Sequence, residues 1–210
     1  RATALALASV GYSLILCGRR MERLEELQLE ITTPSVCLQF DVKNQPTVQD
    51  AFDSLTEEWK SIDVLINNAG NAHGLEPIDQ GEIADWDEMI DVNVKGLLYV
   101  SKAVLPVMKS RKRGHVVNIS SIAGQFGTGS NVAYCASKAA LDSMTKSLAR
   151  ALAPTIRVVS VSPGFVEGEY TKNFSKEFLQ EQRDKTPLER FASGNDVAEA
   201  VYSVCTYLTF

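Results

Sequence analysis

The chain of 210 residues has only two histidines, no C-x-x-C pair and no apolar run long enough to span a bilayer. Each absence excludes something. The four cysteines, Cys17, Cys37, Cys135 and Cys205, are scattered through apolar stretches and read as reduced thiols, not a disulfide framework. That usage points to a cytoplasmic setting. His73 and His115 lie far apart with no cysteine beside them, so no metal site is expected. No signal peptide, repeat, linker or low-complexity tract is visible. The net charge of -5 argues against a broad nucleic-acid surface. The one basic cluster, Lys109 to His115, falls where a helix should end, and cations there complement the helix dipole.

What is present is a 45% hydrophobic composition, enough to bury the core of one domain spanning 1–210. Short β-rich runs alternate with longer helical patterns. Strands are expected at 12–18, 35–42, 62–70, 115–121 and 155–164. Helices are expected at 21–31, 45–59, about 86–113 and 132–153, the last stopped by Pro154. The opening residues continue a helical face of small apolar side chains that Gly11 breaks. Strands apolar on both faces, alternating with helices, make an α/β fold: a doubly wound parallel sheet with helices on each side. Such a sheet binds ligands at the carboxyl ends of its strands. Gly18, Arg19, Asp41, Asn67 to Gly70, Ser120, Ser121, Pro163 and Gly164 all fall there, which points to a nucleotide-type ligand.

Within "YCASK", Tyr134 and Lys138 are four apart and so share one helix face. A surface tyrosine beside a solvated lysine would show the same spacing. The pair has a chemical use, because a phenol with a pKa near 10 exchanges protons poorly at neutral pH. A cation about 4 Å away, at an effective dielectric near 20, contributes up to about 4 kcal/mol towards ionising it. Ser121 ends a strand thirteen residues before Tyr134. Asn93, in "DVNVKG", lies in a helical stretch where asparagine is an indifferent former. If buried, it needs hydrogen-bond partners.

"NNAG", "N…SS", "YxxxK" and a following "PG", in this order, resemble the short-chain dehydrogenase/reductase family from the first residue to about Ala200. The resemblance implies a Rossmann-type fold and hydride transfer between a nicotinamide cofactor and a carbonyl or secondary alcohol. It assigns Tyr134 as general acid/base and Lys138 as the group that tunes it and binds the nicotinamide ribose. Ser121, not Ser120, takes the place of the serine that polarises the substrate carbonyl. Asn93 matches the asparagine that helps anchor a proton-relay water. Asn67, Ala69 and Gly70 match the loop along the adenine ribose, Asp41 and Val42 the pair at adenine, and Pro163, Gly164 and Val166 the nicotinamide end. An alternative is a non-catalytic nucleotide-binding or scaffold relative.

Cofactor choice turns on "CGRR". Family members that prefer NAD(H) carry an acidic residue where Gly18 stands, and here Arg19 and Arg20 follow. A guanidinium grips phosphate bidentately, so NADP(H) is expected over NAD(H). Cations also fit poorly at a helix N-terminus unless an anion joins them. The family's opening strand and glycine-rich "TGxxxGIG" turn are absent, as is its last strand after "YLT". The expectation is a longer chain in which that strand and turn precede Arg1. The family's P-G-x-V-x-T pattern is also broken, with Gly168 at the threonine position and Thr171 later.

The substrate is a small carbonyl or alcohol. "NAGNAHGLEP" resembles reductases acting on 3-hydroxy acids, and general features resemble 3-oxoacyl reductases. Residues 165–190 are expected to form the substrate lid, mixing Phe165, Tyr170, Phe174, Phe178 and Leu179 with Lys172, Lys176 and Arg183. These suit a carboxylate or phosphopantetheine substrate, or a lid helix docking on the core. A homodimer or homotetramer through the helices near 86–112 and 134–153 is the family's habit.

Overall fold

The computed structural model describes residues 1–74, 76–127 and 130–206. After α1 (Ala2–Ser9), the chain turns at Gly11, whose φ of 93° favours glycine. It then enters β1 (Leu14–Gly18), α2 (Met21–Gln28) and β2 (Ser35–Gln39). Next come α3 (Gln45–Asp53), α4 (Glu57–Lys60) and β3 (Val64–Asn67). Asn44 caps α3 by accepting from the Thr47 N–H at 3.2 Å. The expected helix over 45–59 is therefore two, and the one over 21–31 stops at Gln28.

The long helical stretch is also divided. It runs as α5 (Ile83–Ile90), a π-helical turn (Asp91–Gly96) and α6 (Leu97–Arg111). β4 (Gly114–Ile119), a short α7 (Ala123–Phe126), α8 (Val132–Leu152) and β5 (Ile156–Val161) follow. A 3₁₀ turn (Glu169–Asn173), α9 (Lys176–Asp184) and α10 (Gly194–Thr206) complete the order. Four of the five expected strands end earlier than their apolar patterns predict, and the first, which starts at Leu14, ends at Gly18 as expected. Asp41-Val42, Asn68 to Gly70, Ser120-Ser121 and Pro163-Gly164 leave the ladders as loops, each at a strand's carboxyl end.

All strand pairings are parallel, as the alternating pattern predicts, but the ladder is in two blocks. β1 pairs with β2, Leu14 opposite Ser35. β3, β4 and β5 pair in that order, with Val64 opposite His115 and Gly114 opposite Ile156. No described strand bonds both β1 and β3, so a groove of about 1200 Å³ runs between the blocks. One helical layer, α3, α6 and the end of α8, buries Val48, Phe52, Val104, Met108 and Leu152 against Leu65, Val116 and Val158. Side chains alternate across a strand, so Val117 faces the opposite layer, where α10 crosses β4 and β5. There α1 and α2 enclose a smaller cluster of Ala8, Leu16, Leu27 and Ile31.

Met108 is 0% exposed at the end of α6, directly under the turn into β4. A Cβ built at Gly114 would lie 2.5 Å from its sulfur, so the helix and the strand meet without slack. Met108→Ala is expected to cost about 2–5 kcal/mol through the cavity it leaves. The urea midpoint should fall while the slope of the unfolding line stays constant.

Candidate active site

Helix α8 begins at Asn131, whose side chain accepts from the Tyr134 N–H at 2.8 Å. That cap sets the helical phase, and Tyr134 and Lys138 then share a face as their spacing requires. The Ser121 side chain lies near enough to the Tyr134 phenol to favour its ionised form. Ser121 stands two residues past the end of β4, its oxygen accepting from the Ala123 N–H at 3.2 Å. Ser120 turns away and donates to the Lys138 carbonyl at 3.4 Å.

Lys138 is 4% exposed, with Nζ donating to the Ile119 carbonyl at 2.9 Å and lying 5.8 Å from the centre of the Tyr134 ring. Burial pulls its pKa down to about 8, against a smaller opposing pull from Asp142. Burial also pushes the Tyr134 phenol up, and Ser121 offsets this only in part. This differs from the expectation that Lys138 lowers the phenol. In the protein alone both groups are desolvated and favour their neutral forms. The ammonium is directed at a backbone carbonyl.

A third wall comes from the loop after β3. A Cβ at Gly70 would lie 3.3 Å from both Lys138 Nζ and Asn93 Oδ1, so glycine leaves an open cradle beside the ammonium. Asn93, 1% exposed within the π-helical turn, accepts from the Asn71 N–H at 2.9 Å. Its amide donates to the Asn71 carbonyl at 2.9 Å and to Ser137 Oγ at 3.0 Å. Both amide hydrogens are thus committed to holding the loop on α8. The widened turn is what aims this side chain inward. Below it, Asn67 donates to Asn118 at 2.9 Å, and Asn118 donates to Thr145 at 2.9 Å. These bonds tie β3, β4 and α8 together under the site.

Of the residues expected at the cofactor, Gly18, Arg19, Asp41, Val42, Asn67, Ala69 and Gly70 all border the groove, along with Asn71. Arg19 and Asp41 approach to 3.9 Å, and Arg20 is the exposed N-cap residue of α2. Pro163 and Gly164 lie against the other side: the Pro163 carbonyl accepts from the Ile122 N–H at 3.1 Å, beside Ser121. Val166 instead pairs with Ala192. The Thr171 hydroxyl donates to the Gly168 carbonyl at 2.7 Å and accepts from the Gly168 N–H at 3.3 Å, so it closes its own turn.

The aromatic residues of 165–190 pack on one another. Phe165 stacks on Phe191 at 4.7 Å and Phe174 on Phe178 at 4.9 Å. Arg183 lies over the Phe191 ring at 4.7 Å and pairs with Glu167 at 3.6 Å. The side chain of Tyr170 and residues 207–210 lie outside the described residues.

A short chain dehydrogenase family model matches residues 1–178. The chain belongs to that family. It is an oxidoreductase. The NADP-dependent 3-hydroxy acid dehydrogenase YdfG of Escherichia coli (strain K12) is 39% identical over 198 residues, covering 93% of this chain and 80% of that one. Serine dehydrogenase in its closed form with NADP+ superposes with a TM-score of 0.88 at 34% identity, over 99% of this chain and 84% of that one. NAD+-bound xylitol dehydrogenase superposes equally well, with a TM-score of 0.89 at 28% identity over 96% of this chain and 85% of that one. Backbone shape therefore does not select between the two cofactors. No helix is long and apolar enough to cross a membrane, and no metal-binding cluster occurs, among the described residues.

Asn71, Gly124, Asn131 and Ser137 went unmarked in the sequence. Asn131 had a usable signal, an asparagine just before a helix. Gly124 had none. A Cβ there would lie 2.6–2.9 Å from backbone atoms of Lys138 and Ala139, so only glycine lets the Ser121 loop rest on α8. Gly124→Ala is expected to cost about 1–3 kcal/mol by overpacking. It should also lower turnover by parting Ser121 from Tyr134, measurable by urea titration alongside steady-state rates. Lys138 gives a pH signature. Between pH 8 and 10.5 the unfolded chain holds a proton on this lysine that the folded chain has lost, so stability rises with pH across that window. Below pH 8 the cost is fully present, about 3 kcal/mol. Lys138→Met should flatten that rise in urea titrations taken at stepped pH.

Proposed function

We propose that this protein is an NADP(H)-dependent dehydrogenase/reductase that interconverts a 3-hydroxy acid and its 3-oxo form. The observation that carries the reading is the buried Lys138 ammonium 5.8 Å from the Tyr134 ring, with Ser121 beside the phenol and the open Gly70 cradle beside the lysine. The cradle, and the unpaired buried amide oxygen of Asn71, fit a ligand carrying hydroxyl groups, as a nicotinamide ribose does. Arg19 and Arg20, at the end of β1, would hold the 2'-phosphate, and Asp41 with Val42 the adenine. The names of the 3-hydroxy acid and serine dehydrogenase relatives support both the cofactor and the substrate class.

When bound, the cofactor donates or accepts the hydride. The chain's own residues handle the oxygen and its proton. Ser121 and Tyr134 hold the substrate oxygen between their hydroxyls. With the phenol raised by burial, Tyr134 is protonated at neutral pH and stands ready to give that proton to the oxygen in reduction. In oxidation it must first lose it, so oxidation rates should climb with pH while reduction rates fall. Asn93 fixes the loop that walls the cleft, and residues 165–190 close over it as a lid. The helices α6 and α8 leave Leu98 and Val132 exposed, consistent with assembly of a homodimer or homotetramer.

Tyr134→Phe removes only the hydroxyl. Turnover of 3-hydroxypropionate should fall by about 10²–10⁴. NADPH binding, followed by its fluorescence, should persist. Turnover that survives undiminished overturns the reading.

A further inference from the structure

The loop after Gly70 carries a polar side-chain pair that the chemistry at Tyr134 does not use. Asn71 Nδ2 lies 3.0 Å from His73 Nε2. With the amide donating, the ring proton sits on Nδ1, leaving an N–H free to donate elsewhere. The Asn71 amide oxygen is buried and has no partner in the protein. Burying an acceptor unpaired costs free energy unless a ligand supplies the donor.

Both ends of this short loop are held on the catalytic helix. Asn93 clasps the Asn71 backbone from one side. From the other, Asn131 donates to the carbonyls of His73 and Gly74 while its oxygen caps Tyr134. The pair therefore stands between Lys138, which touches Gly70, and the first turn of α8, which bears Tyr134. Asn71 itself borders the groove between the strand blocks and His73 is half-buried. A fixed imidazole donor on a loop held by the cap of the helix that bears Tyr134 matches an anionic acceptor.

We propose that His73, oriented by Asn71, determines specificity by reading the acid end of the substrate, the imidazole N–H donating to the carboxylate. This rests on the dehydrogenase reading and deepens it, because it names the part of the substrate that is recognised and the residue that recognises it. A merely structural pair would stiffen the loop and affect all substrates alike.

Two measurements test it. With only two histidines in the chain, and His115 4% exposed, the ring resonances of His73 are assigned by their loss in His73→Leu. In the presence of NADP+, 3-hydroxypropionate should move them saturably and its methyl ester should not. No movement with the acid, or equal movement with the ester, overturns the inference. In kinetics, the acid-to-ester ratio of kcat/KM should fall about tenfold in His73→Leu and Asn71→Leu, the effect of losing a hydrogen bond to a charged group. His73→Gln, which keeps an N–H donor, should recover part of it. An unchanged ratio, with both substrates slowed together, also overturns it. If the unaltered protein turns over neither substrate, the dehydrogenase reading fails instead, and the ring titration still decides the role of His73.

Discussion

A single buried ammonium group constrains most of what surrounds it. Lys138 is almost wholly removed from water, and a buried charge is tolerated only with fixed hydrogen-bond partners. Its anchor is the carbonyl of Ile119, the last residue of β4, so strand and helix must be held in one register at that point. Gly124 allows the intervening loop to lie on the backbone of the same lysine. The Ser121–Tyr134 contact follows from this packing. It joins a loop and a helix that also meet through Gly124 and through the Ser120 hydroxyl on the Lys138 carbonyl.

Asparagine is the structural currency of the site. Asn67, Asn93, Asn118 and Asn131 are each 9% exposed or less and each bonds across two elements. An amide both donates and accepts, so one side chain can satisfy loop and helix together without adding charge near the lysine. Such a network favours one arrangement, since a half-satisfied member would be costly in a low-dielectric interior. The π-helical turn belongs to the same logic. Its wider coil places Asn93 at the loop backbone, where a continuous α-helix from Ile83 to Arg111 would have turned it elsewhere.

Much of this was legible in the residues themselves. The five strands, their parallel sense and the position of polar residues at their carboxyl ends follow from apolar runs ended by Asp41, Asn67 to Gly70, Ser121 and Gly164. The shared face of Tyr134 and Lys138 follows from a spacing of four. Less legible were the breaks. Asp91 to Gly96 reads as ordinary helix, because backbone widening leaves no mark in apolar periodicity.

The sequence by itself determined the elements, their order and the kinds of side chain delivered to one edge of the sheet, because these depend on local periodicity and short-range caps. Only the tertiary structure decided what those side chains do to one another. Desolvation, which raises Tyr134 and lowers Lys138, is a property of everything packed around them. The binding of Asn71 and His73 to the catalytic helix likewise depends on asparagines 22 and 58 residues further along the chain.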